Sequence, residues 1–105
     1  MRIIISSIIP FKGFGGINLF NTLFIRKGVE WDEYDTNHEK IHTAQMKELL
    51  YVFFYILYFI EWLFNLIFWP RSAYRHISFE KEAYKHQRDL KYLETRKHYA
   101  QWRHP

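Results

Sequence analysis

The pattern of hydrophobic and polar positions changes several times along the chain, and each change predicts an element. Arg2 is followed by three isoleucines, two serines, two more isoleucines and Pro10, and a second apolar, β-branched run extends from Leu19 to Arg26. Both runs read as strands. Gly13, Gly15 and Gly16 lie between them and mark a loop over residues 10–18, so the two strands are expected to form an N-terminal β-hairpin with a long connection. The opening run is too short for the core of a secretory signal, and no small-residue cleavage pattern follows it.

Acidic residues from Glu30 to Asp35 then lead into a helix, with Asp35 or Thr36 as the expected N-cap and the helix continuing through Leu50 and beyond. Residues 49–69 are apolar around every face of a helix and carry one charge, Glu61. Pro70 closes that run. A last helix is expected from an N-cap at Ser78 through Leu93, followed by a polar tail containing Tyr99 and Trp102. The whole predicts an α+β fold in a single domain spanning residues 1–105.

Composition narrows the reading. Apolar residues make up 49% and aromatics 21% of the 105 residues, too much for a disordered chain. Cysteine is absent, so any metal site must use histidine and carboxylate. The net charge of +4 arises in the last third: residues 1–70 hold six Lys/Arg against seven Asp/Glu, residues 71–105 nine against four. Acids are interspersed there and no nucleic-acid motif accompanies them, so solvated helix is expected and nucleic acid is not an expected partner. The glycine cluster lacks the Lys-Ser/Thr that follows a phosphate-binding loop.

The chemistry lies in residues 38–42, His-Glu-Lys-Ile-His. On a helix, i and i+4 share a face one turn apart, so His38 and His42 can direct imidazole nitrogens at one ion. Glu39 lies about 100° round the helix, badly placed as a ligand but suited to act as general base on a metal-bound water. The competing reading is a solvated helix start, since Thr36 and Glu39 also fit a capping box. A catalytic zinc needs a third protein ligand from another element, and Glu80 and Glu82, early in the last helix, are the candidates. A carboxylate there also complements the helix dipole without any metal.

The His-Glu-x-x-His sequence with Glu80-x-x-Ala83 on a later helix resembles the gluzincin zinc metallopeptidases, especially their membrane-embedded families, and the chain is similar in size to the minigluzincins. The resemblance implies Zn2+ held by His38, His42 and Glu80, Glu39 as catalytic base, and peptide or protein as substrate. Tyr84 stands where those families have an aspartate that supports a ligand histidine. Tyr84, His76, His86 and Arg75 are the candidates for that supporting role or for oxyanion stabilisation. The resemblance further implies that the run from Leu19 to Arg26 pairs with extended substrate, and that residues 99–105 fold over the cleft.

Twenty-one apolar residues would suffice to span a bilayer. A straight span would separate His42 from Glu80 by about 30 Å, which the shared metal forbids. The run is therefore expected to bend back as a hairpin, to lie in the membrane interface, or to serve as a core helix. Membrane association is the favoured localisation, with a cytoplasmic domain that uses the run as core or homo-oligomer interface as the alternative. Two rival functions remain at this level: a small membrane-anchored interaction protein, and an inactive zinc-bound scaffold.

Overall fold

A computed structural model describes residues 1–8 and 15–102. Three strands, β1 (Arg2–Ser6), β2 (Gly16–Leu19) and β3 (Thr22–Arg26), precede four helices: α1 (Glu33–Glu48), α2 (Val52–Phe68), α3 (Ser78–His86) and α4 (Tyr92–Thr95). The fold is α+β, as the sequence predicts.

The sheet is organised differently from the expected hairpin. Its order is β1-β3-β2, with β1 parallel to β3 in the register Arg2↔Thr22 to Ser6↔Arg26. The hairpin instead joins β2 to β3 through Phe20 and Asn21, both at positive φ. Residues 16–18, expected as loop, belong to a strand, and Leu19 belongs to β2 rather than β3. Residues 10–14 of the predicted glycine-rich loop, with Ile9 of the run before it, lie outside the described residues. Gly16 has a packing reason: an added Cβ would sit 2.6 Å from the Trp31 ring.

The first helix begins one turn earlier than predicted. Asp32 is its N-cap, and Asp32 and Asp35 form a reciprocal capping box. Thr36 is not a cap and accepts a hydrogen bond from the Trp31 indole at 2.9 Å. The far end is abrupt. Leu50 and Tyr51 both adopt positive φ, 55° and 62°, and turn the chain by 110° between α1 and α2. No single helix among the described residues is long and apolar enough to cross a membrane. The apolar run does not bend back as a hairpin: Val52–Phe68 is one continuous helix, the bend precedes it, and the chain folds back after it so that α3 packs on α1.

That return uses the lone charge of the apolar run. The two carboxylate oxygens of Glu61 accept hydrogen bonds from the Ser78 backbone N–H (2.8 Å) and hydroxyl (2.7 Å). Glu61 thus caps α3 from α2, while Ser78, the expected cap, is the first helical residue after Ile77. Asn65 secures the connection by donating to the Ala73 carbonyl. The last helix also ends earlier than predicted, at His86, with α4 a separate single turn. A core of Met46, Phe54, Ile77 and Phe79 fills the space between α1, α2 and α3.

Candidate metal centre

Two helices meet to build the site. His38 and His42 project from one face of α1, and Glu80 projects from the first turn of α3; the three are 6%, 5% and 3% exposed. Ala83, one turn after Glu80, is fully buried, and its small side chain lets neighbouring backbone approach. Asn37 fastens the other end by donating to the carbonyls of Gln87 and Asp89, just past α3, at 2.8 and 2.9 Å.

The donor atoms converge. Glu80 Oε1 lies 3.0 Å from His38 Nε2 and 2.9 Å from His42 Nε2, and the two nitrogens are 3.1 Å apart. The second carboxylate oxygen is fixed separately, accepting from the Tyr58 hydroxyl at 2.6 Å. The outer ring nitrogens are engaged as well: His38 Nδ1 donates to Gln87 Oε1 (2.7 Å) and His42 Nδ1 to Gln45 Oε1 (2.8 Å). With both Nδ1–H groups committed to amide oxygens, two Nε2 lone pairs and a carboxylate oxygen face one another. Such a triangle repels itself unless a proton or a cation sits within it.

Three electron-pair donors converging from two helices form a group able to hold a metal ion. The dimensions fit a small one. A tetrahedral ion with bonds of about 2.0–2.1 Å spreads its ligand atoms about 3.3 Å apart, within a few tenths of an ångström of the spacing here. In the metal-free protein a proton fills the gap. Burial lowers the basicity of His42, but the Glu80 carboxylate outweighs it and raises the pKa to about 9. Burial likewise opposes ionisation of Glu80, yet His42 and the hydrogen bonds from both histidines and Tyr58 hold it well below the usual carboxylate range.

Glu39 is beside this group but outside it. Its side chain is partly buried, and burial raises its pKa against the lowering influence of His42 and His38. Its backbone carbonyl accepts from Asn18 Nδ2 at 3.0 Å, which ties β2 to the turn of α1 that carries His38 and His42.

The four auxiliary candidates separate. The Tyr84 ring lies edge-on to His38 with centroids 4.5 Å apart, and its hydroxyl meets that of Tyr74 at 3.2 Å. Arg75 stacks on the outer face of Tyr84, 3.8 Å from its centroid. His76 stacks on Trp69 and His86 on Tyr92, with centroids 3.9 and 3.8 Å apart; neither joins the triangle among the described residues. The histidine-supporting role expected of Tyr84 falls to Gln87 for His38 and Gln45 for His42. Neither glutamine stands out in the sequence, although Gln45, three residues after His42, lies on a neighbouring helical face.

Two further expectations change. The proposed substrate-pairing run ends in β3, which is the central strand and has both edges occupied. The edge beside α1 is β2, where the Tyr55 hydroxyl accepts from the Phe20 N–H and donates to the Asn18 carbonyl. Residues 99–102 make their contacts elsewhere than on His38, His42 and Glu80: Tyr99 binds Glu48, and Trp102 packs on Phe79 and donates to Ser78. Residues 103–105 lie outside the described residues.

No family model, curated protein or solved structure matches this chain.

Proposed function

We propose that this chain is a zinc-dependent peptidase in which His38, His42 and Glu80 hold the ion and Glu39 is the general base. The self-repelling triangle of two imidazole nitrogens and one carboxylate oxygen carries the reading. Two nitrogens and one carboxylate oxygen suit zinc and leave a coordination position for water or substrate. Bound there, the ion would supply Lewis acidity toward a water and a substrate carbonyl. Glu39 takes the proton of the attacking water and returns it to the departing amine, so that peptide and water become acid and amine with no net proton change. Tyr84, with its hydroxyl against that of Tyr74, is the group we assign to the developing oxyanion. An extended peptide pairs with the β2 edge after displacing the Tyr55 hydroxyl.

The outer face of α2 supports a location. Phe53, Phe59, Ile60, Phe64, Ile67 and Phe68 are each more than half exposed, and the only charge of the helix is turned inward onto Ser78. A contiguous face of that kind marks a lipid or protein contact. Arg71 and Arg75, both exposed just beyond α2, favour an anionic lipid surface, with α2 lying in the interface.

Purified protein should contain one equivalent of zinc, and Glu39→Gln should keep the zinc while losing peptide cleavage. Zinc without cleavage in the wild type leaves an inactive scaffold, and absence of zinc rejects the metal reading. Co-sedimentation with anionic vesicles tests the location, and a concentration-dependent dimer with no vesicle binding would assign the α2 face to a second copy.

A further inference from the structure

A buried polar chain runs from His42 away from the metal triangle to the C-terminal segment. Gln45 is fully buried, and its amide nitrogen donates to the Phe79 carbonyl (3.0 Å) and to Glu82 Oε1 (2.9 Å). Both partners are acceptors only. The amide therefore cannot rotate by half a turn without losing both bonds and setting its oxygen against two other oxygens. With the nitrogen committed, Gln45 Oε1 must face His42 Nδ1, and that nitrogen must carry hydrogen.

Glu82 is itself over-determined. Its Oε1 also accepts from Arg96 at 3.1 Å, and its Oε2 accepts from the Tyr92 hydroxyl and Arg96 Nε, both at 2.6 Å. Arg96 continues to Glu48 at 3.0 Å and Gln101 at 2.8 Å. Four donor contacts on a buried carboxylate keep it ionised, so it has no proton with which to donate to Gln45.

We infer that Glu82 is a positioning residue for the metal centre: its acceptor-only carboxylate orients the Gln45 amide, which fixes His42 with hydrogen on Nδ1 and leaves Nε2 free for the ion. This rests on the metal reading above but assigns a role to a residue that touches no ligand directly. Glutamine at position 82 would keep shape and volume while adding a donor. The Gln45 amide, then held in its present orientation by the Phe79 carbonyl alone, could reverse in part of the molecules, present N–H to His42 Nδ1 and drive hydrogen to Nε2, closing the coordinating nitrogen. Arg96 bears on packing and on the charge of Glu82, while the acceptor facing Gln45 is the carboxylate itself.

Zinc affinity measured by chelator competition on the full chain tests this, together with long-range nitrogen-15 NMR of the His42 ring in the zinc-loaded protein. Glu82→Gln should weaken zinc binding about 10–100-fold, the usual effect of losing support for a ligand histidine. The zinc-loaded wild type should show hydrogen on His42 Nδ1. Arg96→Lys, which keeps a cation beside Glu82, should lower the melting temperature while leaving zinc affinity within about threefold, because the ionised carboxylate facing Gln45 remains. The paired exchange Gln45→Glu with Glu82→Gln returns an acceptor to His42, gives up the bond to the Phe79 carbonyl and should recover part of the lost affinity, which covers the case in which Glu82→Gln alone fails to fold. Unchanged affinity in Glu82→Gln, or no recovery in the paired exchange, overturns the inference. A wild type that binds no zinc rejects the metal reading itself, an outcome distinct from zinc binding that ignores Glu82.

Discussion

The interface of α1 with α3 and the outer face of α2 reverse the usual distribution of polar and apolar groups. Asn37, His38, His42, Thr43, Gln45, Glu80 and Glu82 are each at most 6% exposed, while large side chains such as Phe64 and Ile67 are 61% and 74% exposed. A chain this short buries only about two-thirds of the surface its unfolded form exposes, so interior space is scarce. Filling it with polar groups forgoes hydrophobic stabilisation, and each buried group costs about 1–3 kcal/mol if left unpaired. The inner region meets that cost by near-complete hydrogen bonding around a triangle that needs a proton or a cation within it. The outer region carries the opposite cost, apolar surface in water, which a lipid surface removes. One region gathers polar groups able to hold an ion and the other presents apolar side chains outward, and the residues in between touch both.

Replacing the carboxylate breaks the inner half of this contrast most completely. Glu80→Leu should abolish stoichiometric zinc after dialysis, a loss of about 1,000-fold or more in affinity, since one of three ligands is gone. Retained zinc in this variant would exclude the proposed ligand set.

Protons probe the same region without mutation. A pKa raised from the ordinary 6.5 to about 9 means that the protonated His42 stabilises the metal-free protein fully below 6.5, and that this contribution fades as pH rises through about 9. Zinc must displace that proton, so its apparent affinity should climb by about tenfold per pH unit across this window and flatten above it. Titrations of affinity against pH would reveal a flat profile if the triangle were not where zinc binds.

The outer region is tested by charge. The pair Phe59→Glu and Phe64→Glu should reduce partitioning onto anionic vesicles by about 100-fold, from roughly 1.5 kcal/mol of apolar contact per phenylalanine. Both positions are exposed, so the melting temperature without lipid should not fall. Equal partitioning of variant and wild type would show that α2 is not the contact.

Glu61 belongs to both regions, since it leaves the apolar helix to cap the helix that carries Glu80. Glu61→Gln keeps one acceptor and loses the charge at the α3 N-terminus, and should cost about 1 kcal/mol in chemical denaturation. A more stable variant would mean that the capping contacts contribute nothing.

The sequence exposed the part of this arrangement that depends on local spacing. His38 and His42 repeat at one helical turn, and their third partner could be sought wherever a carboxylate opened a later helix, which led to Glu80. The alternation of apolar runs gave the α+β class and the end of α2 at Pro70. Long-range pairing was hidden: β1 and β3 are both short isoleucine-containing runs, and nothing in either specifies parallel over antiparallel. The corner at Leu50 and Tyr51 was hidden too, because residues of this kind ordinarily avoid positive φ and carry no turn signature. Gln45 and Gln87 escaped notice for a third reason. An amide becomes significant only through its partners, and those are distant in sequence: Phe79 and Glu82 of α3 for Gln45, and His38 of α1 for Gln87.

Tyr58 and Phe59 are consecutive on α2 and point in different directions, one hydroxyl on Glu80 and one ring in the open. The His38–His42–Glu80 group and the outer apolar face are thus divided by a single helix with its side chains, about 10–12 Å across. For a polypeptide emerging from a bilayer against that face, roughly four extended residues would bridge the gap. Under the proposed peptidase reading, proteins cut just outside the lipid are the substrates this spacing would select.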